Sequence, residues 1–189
     1  MEILGDHYLK EARSLIEKID LKRMDKFVSM VLCVHENNGQ VFIIGNGGSA
    51  STASHFANDL SKFCSVNGKK RFRAISLTDN VSTMTAYAND ASYDKIFSEQ
   101  LKNLVNKGDI LVCFTASGNS PNILEAIKAA KEHGALAFGF LGFDGGKAKN
   151  MADDYVIVEC KDFGLVESLH LLLEHLAVNM IRRRLLGED

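Results

Sequence analysis

The sequence is poor in several things, and each absence narrows what the chain can be. It has no tryptophan and a single proline, Pro121, with no low-complexity tract and no internal repeat, so neither a disordered linker nor a repeat array is expected. No apolar run approaches the roughly 18 residues of a membrane span. The net charge is only −2, which leaves no electrostatic footprint for nucleic acid or an anionic membrane as partner. The four cysteines, Cys33, Cys64, Cys113 and Cys160, share no close spacing. Cys33 and Cys113 lie in apolar runs and read as small core residues. The first fifteen residues, MEILGDHYLKEARSL, are charged throughout and do not read as a signal peptide. Together these features predict a reduced, cytoplasmic protein.

What is present is ordinary globular material: 189 residues, 46% apolar and 24% charged. That suits one domain with a full core, residues 1–189, in which helices over about 4–37 lead into an α/β core from about 40. The informative stretch is Val41 to Leu60, VFIIGNGGSASTASHFANDL. It reads as a short buried strand (41–44), a glycine-rich turn (45–48) and a helix opening at Ser49. Glycines let the backbone approach a ligand, and the free N–H groups and dipole of a first helical turn favour an anion. Ser49, Ser51 and Ser54 add hydroxyl donors without bulk. A phosphate cradle follows from this pattern; a plain helix N-cap is the simpler alternative.

Apolar positions at helical spacing predict helices over about 4–19 and 21–37 before this strand. Beyond it, strands at 71–77, 109–114, 136–141 and 155–159 alternate with helices at 81–88, 93–105, 120–133 and 164–186. Apolar strands separated by helices argue a parallel sheet covered on both faces. Ligands of such sheets bind at the carboxyl ends of the strands. Two of those ends carry small, hydroxyl-rich loops: Asn46-Gly47-Gly48-Ser49, and Thr115-Ala116-Ser117-Gly118-Asn119-Ser120. Side by side, two such loops suit a phosphorylated sugar, one holding the phosphate and the other the hydroxyls. A competing reading is open. Gly45-x-Gly47-x-x-Ala50 fits a dinucleotide fingerprint, with Asp79 placed to hold a ribose hydroxyl. That reading leaves the second seryl loop unexplained and has no room for a separate substrate domain.

Two helices carry the chemistry-bearing residues. His55 and Asp59 are four apart on the helix after the first loop and share a face. The last helix, apolar nearly all round, carries Glu167, His170, Glu174 and His175. Glu167 and His175, eight apart, stand about 80° from one another around the helix. Buried acids and imidazoles need partners. A general acid/base pair, a metal site or a hydrogen-bonded core cluster all remain open on this pattern. His7, His35 and His133 read as surface residues.

The motifs GNGGSA and SxxSHFA (45–57), Asn89-Asp90, TASGNSPNI (115–123), GFDGG (142–146) and ESLHLLLEH (167–175) resemble the sugar isomerase (SIS) domain, and within it the phosphoheptose isomerase group. The resemblance spans essentially the whole chain. It implies a flavodoxin-like five-stranded parallel sheet flanked by helices, assembled as a homotetramer with active sites between subunits. It also implies conversion of sedoheptulose 7-phosphate to D-glycero-D-manno-heptose 7-phosphate. Ser49, Ser117 and Ser120, with the loop backbone around Gly47, Gly48, Thr115, Ala116 and Asn119, would hold the phosphate. Asn46 and Asp90 would line the pocket. Asp59 would be the catalytic base and His175 the catalytic acid. A zinc site, found in some members, would fall at His55, Asp59, Glu167 and His175. This chain departs from the group's pattern in having aspartate for glutamate at 59, glutamate for glutamine at 167, and Phe63 where an arginine is common. The resemblance therefore leaves a second class open, a phosphosugar-binding or protein-binding SIS regulator without turnover.

Overall fold

The computed structural model describes residues 4–188. Helices α1 (Leu4–Glu17) and α2 (Leu21–Glu36) come first, followed by β1 (Val41–Gly45), α3 (Gly48–Lys62) and β2 (Ala74–Ser76). Then come α4 (Val81–Asp90), a 3-10 turn at Tyr93–Lys95, α5 (Ser98–Leu104), β3 (Ile110–Thr115) and α6 (Pro121–Glu132). The chain closes with β4 (Leu136–Gly142), α7 (Ala148–Met151), β5 (Asp154–Val158) and α8 (Phe163–Leu186). The five strands form one parallel sheet in the order β2-β1-β3-β4-β5. This is the doubly wound, flavodoxin-like order, whose direction reverses between β1 and β3. Gly45 pairs with Phe114 across that reversal, so the two seryl loops leave the sheet as neighbours.

Alternation along each strand sorts the core into two layers. Val41, Ile43, Ile110, Val112, Phe114, Phe138 and Phe140 face α2, α3 and α8. Phe42, Ile44, Leu111, Cys113, Ala137 and Leu141 face α5 and α6. Because both faces are covered, the central strands read as unbroken apolar runs, which is why their positions were visible in the sequence. On the first face, the Phe27 ring lies 4.5 Å from Phe138 and 5.0 Å from Phe140, seating α2 on the sheet.

Some sequence expectations need correction. The second strand is three residues long, not seven, because it is an edge strand pairing only with β1. The helix expected over 93–105 breaks into a 3-10 turn and a short helix. α7 had no sequence signal: four residues are too few to show a period. Cys33 is exposed, since it falls on the outer side of α2. His35, expected at the surface, is buried and stacks on Phe72 at 4.0 Å between ring centroids. Burial, with the Lys70 charge nearby, lowers its pKa.

His170 of α8 is fully buried against the Phe114 and Phe140 rings. Its Nε2 lies 3.1 Å from the Leu141 carbonyl and donates to it, while Nδ1 has no partner. Burial pulls its pKa down to about 4. A folded pKa below the unfolded value of 6.5 means that the unfolded chain takes up the proton more readily. The stabilising contribution is therefore complete above about pH 6.5 and is lost as pH falls toward 4. The expected loss is on the order of 3 kcal/mol at most. Urea denaturation at pH 7 and pH 5 checks this: wild type loses more stability between the two than His170→Gln does. Equal losses would show that His170 does not couple folding to pH.

Candidate active site

The turn after β1 is built for close approach. Gly47 has φ +56 and ψ −123, a backbone that side chains rarely adopt, and it opens α3. A Cβ at Gly45 would overlap the backbone of Ser49, so glycine lets the helix start hard against the strand end. Ser49 in the first turn is buried. In the neighbouring loop, Thr115 Oγ1 accepts from the Gly118 N–H (3.2 Å) and Ser117 Oγ accepts from the Asn119 N–H (3.2 Å). Ser120 stands at the N-cap of α6, yet its hydroxyl makes no capping bond. That leaves it facing a cleft lined by Asn46, Ser49, Thr115, Ala116, Ser117, Ser120 and Glu167. The cleft holds about 90 Å³, room for a phosphate group rather than for a whole seven-carbon sugar.

An amide pair ties the two loops together. Asn46 Nδ2 donates to Asn122 Oδ1 (2.9 Å), and Asn122 Nδ2 donates back to Asn46 Oδ1 (2.8 Å). The Tyr93 hydroxyl also donates to Asn46 Oδ1, at 3.2 Å. Asn122 is buried, and sequence reasoning passed over it although it sits inside the TASGNSPNI motif. Asn122→Ala is expected to cost about 1–3 kcal/mol, by leaving the Asn46 amide short of partners. It should also raise KM for a phosphorylated ligand severalfold with less effect on kcat, because it loosens a loop rather than removing a reacting group. Urea denaturation and steady-state kinetics check both.

Other expected contributors stand elsewhere. Asn119 braces its loop, donating to Ser117 O (2.9 Å) and accepting from the Lys147 N–H (3.1 Å). Ser51 lies on an adjoining cleft with Gly48, Thr52, His55 and Glu167. Ser54 is turned away, bonding Ala50 O, Thr78 Oγ1 and Asp79. Those bonds also occupy Asp79, which a dinucleotide would need. Asp90 is exposed at the end of α4, accepts from Asn89 Nδ2 (2.8 Å), and is not among the residues lining either cleft.

Helices α3 and α8 run side by side. Gly48 faces Glu167, His55 faces His175, Cys64 Sγ contacts the Val178 carbonyl, and Arg182 reaches the Phe63 carbonyl. The pairs ascend together, so the two helices are parallel. Arg182 also lies over the Phe63 ring, 5.0 Å from its centroid. In the groove between the helices four titratable side chains converge. His175 Nε2 is 3.3 Å from His55 Nε2, 4.0 Å from Asp59 Oδ2 and 3.5 Å from Glu174 Oε2. His55 Nε2 is 3.6 Å from Asp59 Oδ2. One potential ligand atom from each residue lies within 4.8 Å of all the others. Glu174 is completely buried, and neither of its oxygens has a hydrogen-bond partner. Burial, reinforced by the Asp59 carboxylate, pushes its pKa up to about 8.

Glu167 is not in this group. Its carboxylate lies where a Cβ on Gly48 would fall, at the meeting of the two clefts. The 80° argument placed it on nearly the right face but left out translation: eight residues rise about 12 Å along a helix. In the sequence Glu174 is only one of four acidic or histidine residues on the last helix. Its position beside His175, facing Asp59 across the groove, needs the packing of α8 on α3.

A family model for the SIS domain matches residues 7–142. The chain belongs to the SIS domain family. Within that family it sits with the phosphoheptose isomerases. It is 39% identical over 184 residues to a phosphoheptose isomerase of Helicobacter pylori strain P12, covering 96% of this chain and 95% of that one. It is 33% identical to a probable phosphoheptose isomerase of Thermoplasma acidophilum, covering 92% and 95%. The solved structure of phosphoheptose isomerase GmhA from Neisseria gonorrhoeae superposes with a TM-score of 0.86 at 32% identity, covering 94% of this chain and 96% of that one. Membership in the SIS domain family accounts for both seryl loops, which a dinucleotide fingerprint did not. Among the described residues no helix is long and apolar enough to cross a membrane.

Proposed function

We propose that the protein is an aldose–ketose isomerase of sugar phosphates, and that its substrate is sedoheptulose 7-phosphate, converted to D-glycero-D-manno-heptose 7-phosphate. The observation that carries this reading is a spacing. The seryl cleft at the β1/β3 reversal includes Ser49 in the first turn of α3, and on the same helix His55 stands six residues on, about 9 Å, and Asp59 ten residues on, about 15 Å, with His175 meeting them from α8. An extended seven-carbon sugar with bonds of about 1.5 Å spans about 10 Å from C1 to the phosphorus. A heptose phosphate held by its phosphate in the seryl cleft would thus bring C1 and C2 to the cluster.

Ser49, Ser117 and Ser120 hydroxyls, with the free N–H groups of Gly48 and Ser49, bind the phosphate; Gly47, Thr115, Ala116 and Asn119 shape the loops, and Asn46 meets the sugar. Glu167, between the clefts, accepts hydrogen bonds from sugar hydroxyls. Asp90 joins the pocket only if the segment after β2 closes over it. Asp59 takes a proton from C1 and returns it to C2. With no ion bound, His175, at its Nε2, gives a proton to the carbonyl oxygen at C2 as the enediol forms and takes one from the C1 hydroxyl as the aldehyde forms. A divalent ion, zinc in the first instance, suits the donors His55, Asp59 and His175, and when bound would polarise the carbonyl. Exposed Leu9, Ile16 and Leu172 support a homotetramer with sites completed between subunits. The low net charge and reduced cysteines support a cytoplasmic setting.

Purified protein with sedoheptulose 7-phosphate, followed by proton NMR with and without added zinc, tests the reading. Appearance of the aldose signal is expected. No aldose under either condition, while the ketose phosphate still raises the melting temperature, would turn the assignment toward a binding or regulatory SIS protein.

A further inference from the structure

We propose that Glu174 completes a four-ligand divalent-cation site with His55, Asp59 and His175, and that Glu167 stays outside it. The first support is the state of Glu174. It is wholly buried with both oxygens unpartnered, in a groove where its nearest polar neighbours are an imidazole and another carboxylate. A buried carboxyl group with neither oxygen partnered is unfavourable, and a cation that it binds in place of a proton supplies the missing partner. Among the described residues no lysine or arginine forms an ion pair with Glu174, and Arg182, on the same helix, is taken up by Phe63.

The second support is distance. Four ligands around a tetrahedral zinc at about 2.0–2.1 Å lie about 3.3 Å from one another. Four of the contacts within the group fall between 3.3 and 4.0 Å, with all pairs inside 4.8 Å. Small side-chain rotations close such a set on an ion. The third support is the meeting of the two imidazoles. Their Nε2 atoms face each other at 3.3 Å with ring planes 81° apart, so at most one can carry a hydrogen in that contact. A shared cation replaces that single N–H···N contact and lets both nitrogens bind through their lone pairs. The fourth is charge: two neutral imidazoles and two carboxylates balance an ion of charge two. The N₂O₂ donor set suits zinc and cobalt(II) better than magnesium or calcium. Aspartate at 59 is one methylene shorter than glutamate, and Glu174 reaches the same space from α8.

This deepens the metal part of the preceding reading, and it is tested without substrate. Full-length protein is stripped of metal with a chelator and titrated with cobalt(II), reading the visible absorption, and with zinc against a chromophoric competitor. Wild type should take up one ion per chain with the intense absorption of a tetrahedral centre. Glu174→Gln should weaken zinc binding at least a hundredfold, while Glu167→Gln changes it less than about threefold. Glu174→Met, which fills the same volume without a charge, should match Glu174→Gln, and serves in its place if the glutamine variant misfolds. Zinc should raise the melting temperature of wild type but not of either Glu174 variant. Wild-type affinity in the Glu174 variants, a loss confined to Glu167→Gln, or no uptake by wild type would each overturn the proposal. A chain that binds zinc through Glu174 and does not isomerise keeps this inference and sinks the isomerase; a chain that isomerises and takes up no ion does the reverse.

Discussion

Asp59→Asn is expected to lower kcat for the sugar phosphate by about 10²–10⁴-fold, the range that a positioned general base contributes. The asparagine keeps the volume and the hydrogen-bonding reach of the side chain but cannot accept a proton from carbon. Asp59 is mostly enclosed in the α3–α8 groove, with His55 and His175 within 4.0 Å, so no other carboxylate is as well placed toward the open side of the cluster. Glu174 is the nearest substitute, but it is completely buried, away from the open side where a sugar would lie. Ser49 of the phosphate cleft lies ten residues, or about 15 Å, away along the helix, so KM should change less than tenfold. Steady-state kinetics, with ligand-induced thermal stabilisation as the control for binding, reads both. Unchanged kcat would remove Asp59 as the base.

Gly118→Ala is expected to lower stability by about 3–5 kcal/mol and the melting temperature by about 10 °C. Gly118 has φ +62, which costs a side chain on the order of 1–2 kcal/mol by itself. The larger part is a collision: a Cβ there would overlap the carbonyl carbon and oxygen of Gly145, both backbone atoms with little freedom to move. The two loops are also bonded at this point, Ala148 N–H to Gly118 O at 2.9 Å and Lys147 N–H to Asn119 Oδ1 at 3.1 Å. Forcing them apart drags Ser117 and Ser120 out of the phosphate cleft, so KM for the sugar phosphate should rise along with the loss of stability. Gly47→Ala is the contrast, since a Cβ there meets nothing within 4 Å and only the backbone conformation opposes it. Equal melting temperatures for wild type and Gly118→Ala would refute the packing argument.

The layered fold was readable because both faces of the sheet are buried and its central strands are therefore continuous apolar runs. The phosphate loops were readable because glycine and serine at the end of a strand have few other uses. What the sequence hid is what depends on two segments meeting. Asn122 and Tyr93 matter only because the β1 and β3 loops are neighbours across the sheet reversal. Glu174 matters only because α8 lies parallel to α3, at a register that sets it beside His175 and opposite Asp59. Helical periodicity ranks residues by angle alone and so grouped Glu167 with His175, while the structure sets the Glu167 carboxylate against Gly48.

The account stands or falls on proton transfer between C1 and C2. Sedoheptulose 7-phosphate incubated with the enzyme in D₂O, with the aldose examined by proton NMR and mass spectrometry, tests it most directly. Asp59 is partly open to solvent, so the proton it takes from C1 should exchange before return, and deuterium should appear at C2 of the aldose. Aldose whose C2 carries only the hydrogen that left C1, with no deuterium, would contradict an enediol handled by a solvent-exchanging Asp59.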